Sequence, residues 1–73
     1  MTLRLTYTIA SVPDRDYLVA ELWYDDIMWG EIAQEGGRVT LEIYADPSGQ
    51  PWSFDLAEVE ELLAKARKDL AGE

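Results

Sequence analysis

The two consecutive glycines at positions 36 and 37 constrain the fold of this chain more than any other feature. Glycine reaches positive φ without steric cost, so a Gly-Gly pair suits the two central positions of the tight turn that joins antiparallel strands. Apolar and polar residues alternate on both sides of the pair, in IMWGEIAQ before it and in RVTLEIYA after it. Such alternation is typical of strands with one buried face. The sequence therefore predicts a β-hairpin that turns at Gly36-Gly37.

A two-residue turn also determines which residues face each other across the hairpin. The predicted pairs, counted outward from the turn, are Glu35 with Arg38, Ile32 with Leu41, Glu31 with Glu42, and Gly30 with Ile43. Residues directly opposite in an antiparallel pair share a face of the sheet. The apolar residues of the hairpin are therefore expected to point toward a core. This inward set is Met28, Gly30, Ile32, Val39, Leu41 and Ile43.

Two more strands precede the hairpin. TLRLTYTIA alternates apolar and polar residues, SVPDRD supplies the proline and aspartates of a turn, and YLVAELWY reads as a second strand. After the hairpin, DPSGQP is a turn-rich loop, and PWSF either forms a short fifth strand or runs extended into a helix. The predicted strands cover about 2–10, 17–24, 27–34 and 38–45.

The C-terminal segment is predicted to be an amphipathic helix over about 56–70. Asp55 can cap its N-terminus, and Glu58, three residues later, completes a capping box. Apolar residues then recur at helical spacing, at Leu56, Val59, Leu62, Leu63, Ala66 and Leu70. Trp52, just before the helix, is expected to close one end of the core.

Together these elements predict an α+β fold: an antiparallel β-meander of four or five strands with one C-terminal amphipathic helix packed on one face. Seventy-three residues suit a single domain, 1–73, with a small core. Only the face beneath the helix needs to be apolar, so the other can be polar.

The register of the second strand depends on the connection at Asp25-Asp26. An ideal two-residue turn would put Glu21 on the core face, whereas a bulge or odd loop at Tyr24-Asp25-Asp26 turns it outward. Because a slip of one residue moves every side chain to the other face, the burial pattern favours the bulged register. The inward residues of this strand are then Leu18, Ala20 and Leu22. The predicted pairs are Leu22 with Met28 and Ala20 with Gly30.

In this register the outward face combines acids and aromatics. It carries Val19, Glu21, Trp23, Ile27, Trp29, Glu31, Thr40, Glu42 and Tyr44, with Glu31 opposite Glu42, Glu21 close to Trp29, and Trp29 opposite Tyr44. Like charges directly opposed cost stability, and tryptophan and tyrosine are favoured anchors of protein interfaces. We therefore predict that this face and the hairpin tip bind a partner. The predicted contact residues are Glu21, Trp23, Asp25, Asp26, Trp29, Glu31, Glu42 and Tyr44.

The charge balance narrows the class of partner. Fifteen acidic and six basic residues give a net charge of −9, and residues 14–46 hold nine of the acids and only two bases. Direct nucleic-acid binding is disfavoured because phosphate contacts need lysine and arginine. Attraction to a basic protein surface is favoured. Acidity that only keeps the protein soluble is the other interpretation of this charge.

No pattern of residues indicates an enzyme. The chain has neither histidine nor cysteine, and its serines have no neighbouring base in the sequence. Adjacent carboxylates such as Asp25-Asp26, without converging ligands, make a poor metal cage. We expect no catalytic residue, no metal and no cofactor. The N-terminus is too short and polar for a signal peptide, and no apolar run approaches a membrane span, so the expected location is cytoplasmic, without membrane contact.

Length, acidity and the strand-then-helix pattern, from YLVAELWYDDIMWGEI through LAEVEELLAKARKDL, resemble those of small acidic phage-encoded inhibitors. These include some anti-CRISPR proteins directed at the DNA- or PAM-binding surface of multi-subunit (type I) CRISPR complexes. The resemblance implies a nucleic-acid mimic, in which carboxylates stand in for phosphates and block DNA access to a CRISPR effector complex or another nucleic-acid-binding protein.

Two alternatives remain open. The strand-rich front followed by an acid-led helix is similar to the small domain of HicB-type antitoxins, which implies an antitoxin or immunity protein that neutralises a toxin. This chain lacks the DNA-binding segment that such antitoxins usually append. The third possibility is a small structural domain, either monomeric or joined into a homodimer through the exposed sheet face or a strand edge.

Overall fold

In a computed structural model, residues 4–11 and 17–72 are described, and they form four strands followed by one helix. The elements are β1 (Leu5–Ser11), β2 (Leu18–Tyr24), β3 (Ile27–Glu35), β4 (Arg38–Ile43) and α1 (Leu56–Leu70). The strands lie in the order β1-β2-β3-β4, and each neighbouring pair is antiparallel. The predicted α+β meander with a C-terminal helix is confirmed.

Two parts of the predicted first strand and turn lie outside the described residues. These are positions 2 and 3, and positions 12–16 of the SVPDRD turn. The segment PWSF is described and adds no fifth strand, since residues 44–55 run without strand or helix. In this segment, the Trp52 indole Nε1 donates to the Tyr44 carbonyl oxygen at 2.9 Å. That bond uses an acceptor at the end of β4 and holds Trp52 against the sheet.

The β3–β4 hairpin has the predicted register. Gly36 and Gly37 both have positive φ, 60° and 83°, so the turn needs the two glycines. The ladder pairs Glu35 with Arg38 and continues in step to Gly30 with Ile43. Gly30 is also required by space, because a β-carbon there would lie 2.6 Å from the Glu42 carbonyl oxygen.

The β2–β3 connection differs from the prediction. Tyr24 pairs with Ile27 across the two-residue turn Asp25-Asp26, in which Asp25 has φ of 55°. Aspartate tolerates this left-handed conformation better than most residues do. The expected bulge at Tyr24-Asp25-Asp26 is therefore wrong, because the turn itself is tight and regular in length.

A bulge does occur, but it lies further along β3. The register shifts between Leu22 and Trp23, which leaves Trp29 as the extra residue on β3. The corrected pairs are Leu22 with Gly30 and Ala20 with Ile32, in place of Leu22 with Met28 and Ala20 with Gly30. Ala20 and Leu22 still point inward, because a shift of two positions preserves the face.

The helix begins where the sequence predicts. The Asp55 carboxylate accepts a hydrogen bond from the Glu58 backbone N–H at 3.1 Å, which caps the N-terminus. Within the described residues, α1 packs on β1, β2 and β3 and leaves β4 uncovered. The buried core that it closes consists of Leu5, Ala20, Leu22, Trp29, Ile32, Leu62 and Ala66.

Aromatic rings close one end of this core. Phe54 lies 4.9 Å from Trp29, 5.4 Å from Tyr24 and 5.5 Å from Trp52, measured between ring centroids. Trp52 is partly buried against the core, as expected from its place before the helix. These ring contacts hold the irregular segment 44–55 against the sheet.

Across the stretches that the structure describes, no helix is long and apolar enough to cross a membrane.

Candidate functional site

Three glutamates form a continuous row across the sheet on the face opposite α1. Glu21 of β2 lies directly opposite Glu31 of β3, and Glu31 lies directly opposite Glu42 of β4. Neighbouring strands are about 4.8 Å apart, so the row spans roughly 10 Å. We call these three residues the glutamate row. The pair Glu31–Glu42 was predicted, whereas Glu21 was expected beside Trp29.

Local sequence explains why all three point the same way. Each glutamate is next to an apolar residue of its strand: Glu21 precedes Leu22, Glu31 precedes Ile32, and Glu42 follows Leu41. Successive side chains in a strand point to opposite faces, so burial of Leu22 and Ile32 turns Glu21 and Glu31 away from the helix. Glu42 lies on the same face because it pairs directly with Glu31. The shift in register at Trp29 lies on the turn side of this row and leaves it intact.

Exposure varies sharply along the row. Glu42 is exposed, Glu21 is half-buried, and Glu31 is only 6% exposed. The Tyr44 hydroxyl donates a hydrogen bond to Glu31 Oε1 at 2.9 Å. The prediction that Glu31 is presented on an open surface is therefore wrong, because its carboxylate is enclosed and serves as an acceptor for Tyr44.

The outer two glutamates keep their charge available. Among residues 4–11 and 17–72, neither Glu21 nor Glu42 takes part in an ion pair. Like charges directly opposed on a sheet cost on the order of a few tenths of a kcal/mol. Cations placed beside the row would offset this repulsion.

Trp29 does not belong to this face. It is 3% exposed and lies in the core under α1, against Phe54. Its assignment as an outward contact residue is wrong, because the bulge places the Trp29 side chain on the same side as the core residues. Its backbone does lie opposite Tyr44 as predicted, since the Tyr44 N–H donates to the Trp29 carbonyl oxygen at 2.8 Å. Burial of an indole is a large gain in apolar contact, which favours this register.

Trp23 remains on the face of the glutamate row. It lies next to Leu22, which is buried on the helix side, and it pairs with Thr6 and Met28. Both Trp23 and Met28 are half-buried. Met28 was predicted to point inward, and that prediction is wrong because the bulge moves it to the face of Trp23. Ile27, in contrast, was expected on the outward face. It pairs with Tyr24, whose ring packs against the aromatic end of the core, so Ile27 lies on the helix side and that prediction is also wrong.

The hairpin tip carries two exposed aspartates, Asp25 and Asp26. Asp25 has a structural role: its N–H donates to the Arg4 carbonyl oxygen at 2.9 Å, and its carboxylate lies 3.5 Å from Arg4 Nε. Asp26 extends the negative charge at the tip. The tip is four residues beyond Glu21 along β2, about 13 Å from the row.

The centre of the face that carries the glutamate row is shielded from solvent. Val19, which shares the outward direction of Glu21, is fully buried yet lies outside the core cluster under α1. Together with Glu31, it shows that part of the outward face is shielded from solvent. The accessible part consists of the rim around it, with Glu42, the partly exposed Glu21, Trp23 and Tyr44, and the tip.

In the ranges that the structure describes, no group of three or more acidic side chains is arranged to hold a metal ion. On the other side of the sheet, the Tyr7 hydroxyl donates to Asp69 Oδ2 at 2.6 Å. This hydrogen bond raises the pKa of the Tyr7 phenol above its usual value near 10.

Comparison with protein-family models gives no match, and comparisons with curated proteins and with solved structures also give none.

Proposed function

We propose that this protein is a non-enzymatic acidic interaction protein that binds a basic surface on another protein through the face of the glutamate row. The observation that carries the proposal is the register itself, which aligns Glu21, Glu31 and Glu42 on three adjacent strands. A sheet under selection for stability alone would place opposite charges at such positions.

The strongest form of this function is nucleic-acid mimicry. The two accessible carboxylates, Glu21 and Glu42, lie two strand spacings apart with Glu31 enclosed between them. This separation of roughly 10 Å matches about three steps of 3.4 Å per charge along one strand of DNA. The net charge of −9 on 73 residues adds a long-range field that steers the protein toward basic grooves. An inhibitor of the anti-CRISPR type would use this face to block DNA or PAM access to an effector complex.

The aromatic residue Trp23 supports contact with a protein over simple charge attraction. It is half-buried beside the row, where its indole can add apolar contact area to a charged interface. Met28 lies opposite it and adds an adaptable apolar side chain. Salt would weaken the charged part of such an interface and leave the apolar part in place.

The test uses a purified type I CRISPR effector complex and a labelled DNA target that contains its PAM. The wild-type protein should compete with this DNA, and competition should weaken steeply as salt increases. The double variant Glu21→Lys/Glu42→Lys should lose at least about tenfold in competition, since two contacts become repulsive. Glu31 is left unchanged because it is buried.

A matched control separates the face from the net charge. Glu60→Lys/Glu61→Lys makes the same change in charge on the exposed side of α1. This control should compete nearly as well as the wild type. Equal losses in the two double variants would show that total charge, and not the glutamate row, determines binding. Absence of competition at any salt concentration would reject the mimicry of nucleic acid in this system.

A further inference from the structure

Strand β4 is an uncovered edge of the sheet. It pairs only with β3 within the described residues, and α1 does not reach over it. Its apolar side chains on the helix side remain in solvent: Val39 is 36%, Leu41 46% and Ile43 59% exposed. Soluble proteins protect such an edge or use it for pairing.

The free backbone groups of β4 belong to its apolar residues. In an antiparallel ladder, alternate residues direct both N–H and C=O toward the same neighbour. Arg38 closes the two-residue turn with Glu35, and the Tyr44 N–H donates to the Trp29 carbonyl oxygen, so the even-numbered residues face β3. Val39 and Leu41 therefore direct their N–H and C=O groups away from the sheet.

We propose that β4 pairs with β4 of a second copy of this chain, antiparallel and about a two-fold axis at Thr40. Side chains on the helix side must then meet side chains on the helix side, so odd-numbered residues pair with odd-numbered ones. With the axis at Thr40, Val39 lies opposite Leu41 of the second copy. This inference shares Glu42 with the proposed binding face, but its test measures self-association alone and needs no basic partner.

Charge complementarity indicates that a second copy of this chain pairs with β4. With the axis at Thr40, Arg38 lies opposite Glu42 of the second copy, and the symmetry forms this pair twice. Both residues are exposed, and neither has an ion-pair partner in the portion of the chain that the structure describes. Opposite charges placed directly across an antiparallel pair stabilise it.

The neighbouring registers lack this match. With the axis at Leu41, Thr40 would lie opposite Glu42 and Arg38 opposite Tyr44, which forms no ion pair. With the axis at Glu42, the two Glu42 carboxylates would face each other. The sequence of β4, RVTLEI, is thus complementary to itself in one register and not in those on the C-terminal side.

Pairing in this way gives one continuous sheet of eight strands. A two-fold axis perpendicular to the sheet keeps both helices on one side and both glutamate rows on the other. The apolar residues of β4 then lie in the middle of the helix side, where two rows of side chains cover each other. On the opposite side, the two Arg38–Glu42 pairs lie in the middle of the dimer, and each chain contributes its Glu21 farther out.

Sedimentation velocity of the wild type and of two charge reversals tests the proposal. The wild type should sediment as a dimer. Arg38→Glu and Glu42→Arg each create two like-charged pairs, so each variant alone should dissociate, with a dissociation constant raised on the order of tenfold or more. An equimolar mixture of the two variants should form a heterodimer, because both cross-pairs are then opposite in charge.

Failure of the mixture to recover the dimer, while both variants remain folded by circular dichroism, would overturn the register. A second comparison is independent of those charges. Leu41→Lys places a charge in the proposed interface and should give a monomer, whereas the control Leu56→Lys alters a more exposed leucine on α1 and should remain dimeric. A wild type that sediments as a monomer at concentrations on the order of 1 mM would reject the dimer. Pairing of β4 with a strand from another protein would then be the alternative.

Discussion

The two faces of the sheet are made by the same strands, yet they differ in what their side chains gain from folding. On the helix side, Leu22, Trp29 and Ile32 are buried together under α1, and each gains from apolar contact. On the opposite side, the same strands place Glu21, Glu31 and Glu42 side by side, which is unfavourable between like charges. The helix side therefore accounts for stability, and the acidic side is where we expect function.

The largest difference in stability between the two faces should appear when the two tryptophans of the β2–β3 hairpin are replaced. Trp29→Ala should lower the free energy of unfolding by about 3–5 kcal/mol, because it opens a cavity in the core. Trp23→Ala should cost only about 1 kcal/mol, since Trp23 is half-buried on the other face. Urea unfolding of both variants measures this.

Equal losses of stability in these two variants would contradict the division between the faces. Small losses of similar size would instead fit a bulge at the turn, which the sequence alone suggested and which leaves both tryptophans on the outward face. Competition assays on the folded Trp23 variant would then show whether this indole contributes to binding as well.

A smaller effect on stability is expected at the close contact between β3 and β4 at Gly30. Gly30→Ala places a β-carbon 2.6 Å from the Glu42 carbonyl oxygen, so β4 must shift. We expect a loss of about 1–3 kcal/mol in the free energy of unfolding, as for other overpacked sites. Gly36→Ala, at a turn position with positive φ but open space, provides a comparison in which only the backbone is strained. Loss at Gly36 but none at Gly30 would contradict the close approach of β4.

Reducing the charge of the acidic face should raise the free energy of unfolding, whereas the substitutions above lower it. Glu42→Gln removes one repulsive pair with Glu31 and should raise the free energy of unfolding by a few tenths of a kcal/mol at low salt. The gain should shrink at high salt because exposed charges are screened. Glu60→Gln on α1 serves as the control. A loss of stability in the Glu42 variant would show that the row is favourable as it stands.

The smallest effect concerns the contact between β1 and the end of α1. Because the hydrogen bond to Asp69 raises the pKa of Tyr7, the folded state holds this proton more tightly than the unfolded state. Its contribution to stability is complete below the ordinary pKa near 10 and is lost as pH rises through the higher, folded value. Tyr7→Phe should therefore flatten the decrease in stability above pH 10, measured by urea unfolding at several pH values. An unchanged pH dependence would contradict the contact.

Much of this architecture could be predicted because local signals agreed with one another. Gly36-Gly37 fixed the β3–β4 register, and Asp55 with Glu58 marked the start of α1, since both turns and caps depend on neighbours in sequence. The β2–β3 register could not be predicted in the same way. Both a bulge at the turn and a bulge at Trp29 bury Ala20 and Leu22, so alternation alone does not distinguish them.

The candidate site was predictable to the same extent. Glu21, Glu42, Trp23 and Tyr44 lie on the expected face because their parity does not depend on where the bulge falls. Trp29 and Met28 exchange faces, since they lie at the bulge and before it. Burial of Glu31 depends on tertiary surroundings that no periodic pattern encodes, and so does the ion pair between Arg4 and Asp25.

One measurement tests the division between the faces most directly: unfolding and DNA competition, on the same preparation of Glu21→Lys/Glu42→Lys. We expect the variant to unfold at the same or higher urea concentration than the wild type, because repulsion in the row is removed, and to lose its ability to displace DNA from the effector complex. A variant that competes as well as the wild type while remaining folded would contradict a functional role for the glutamate row.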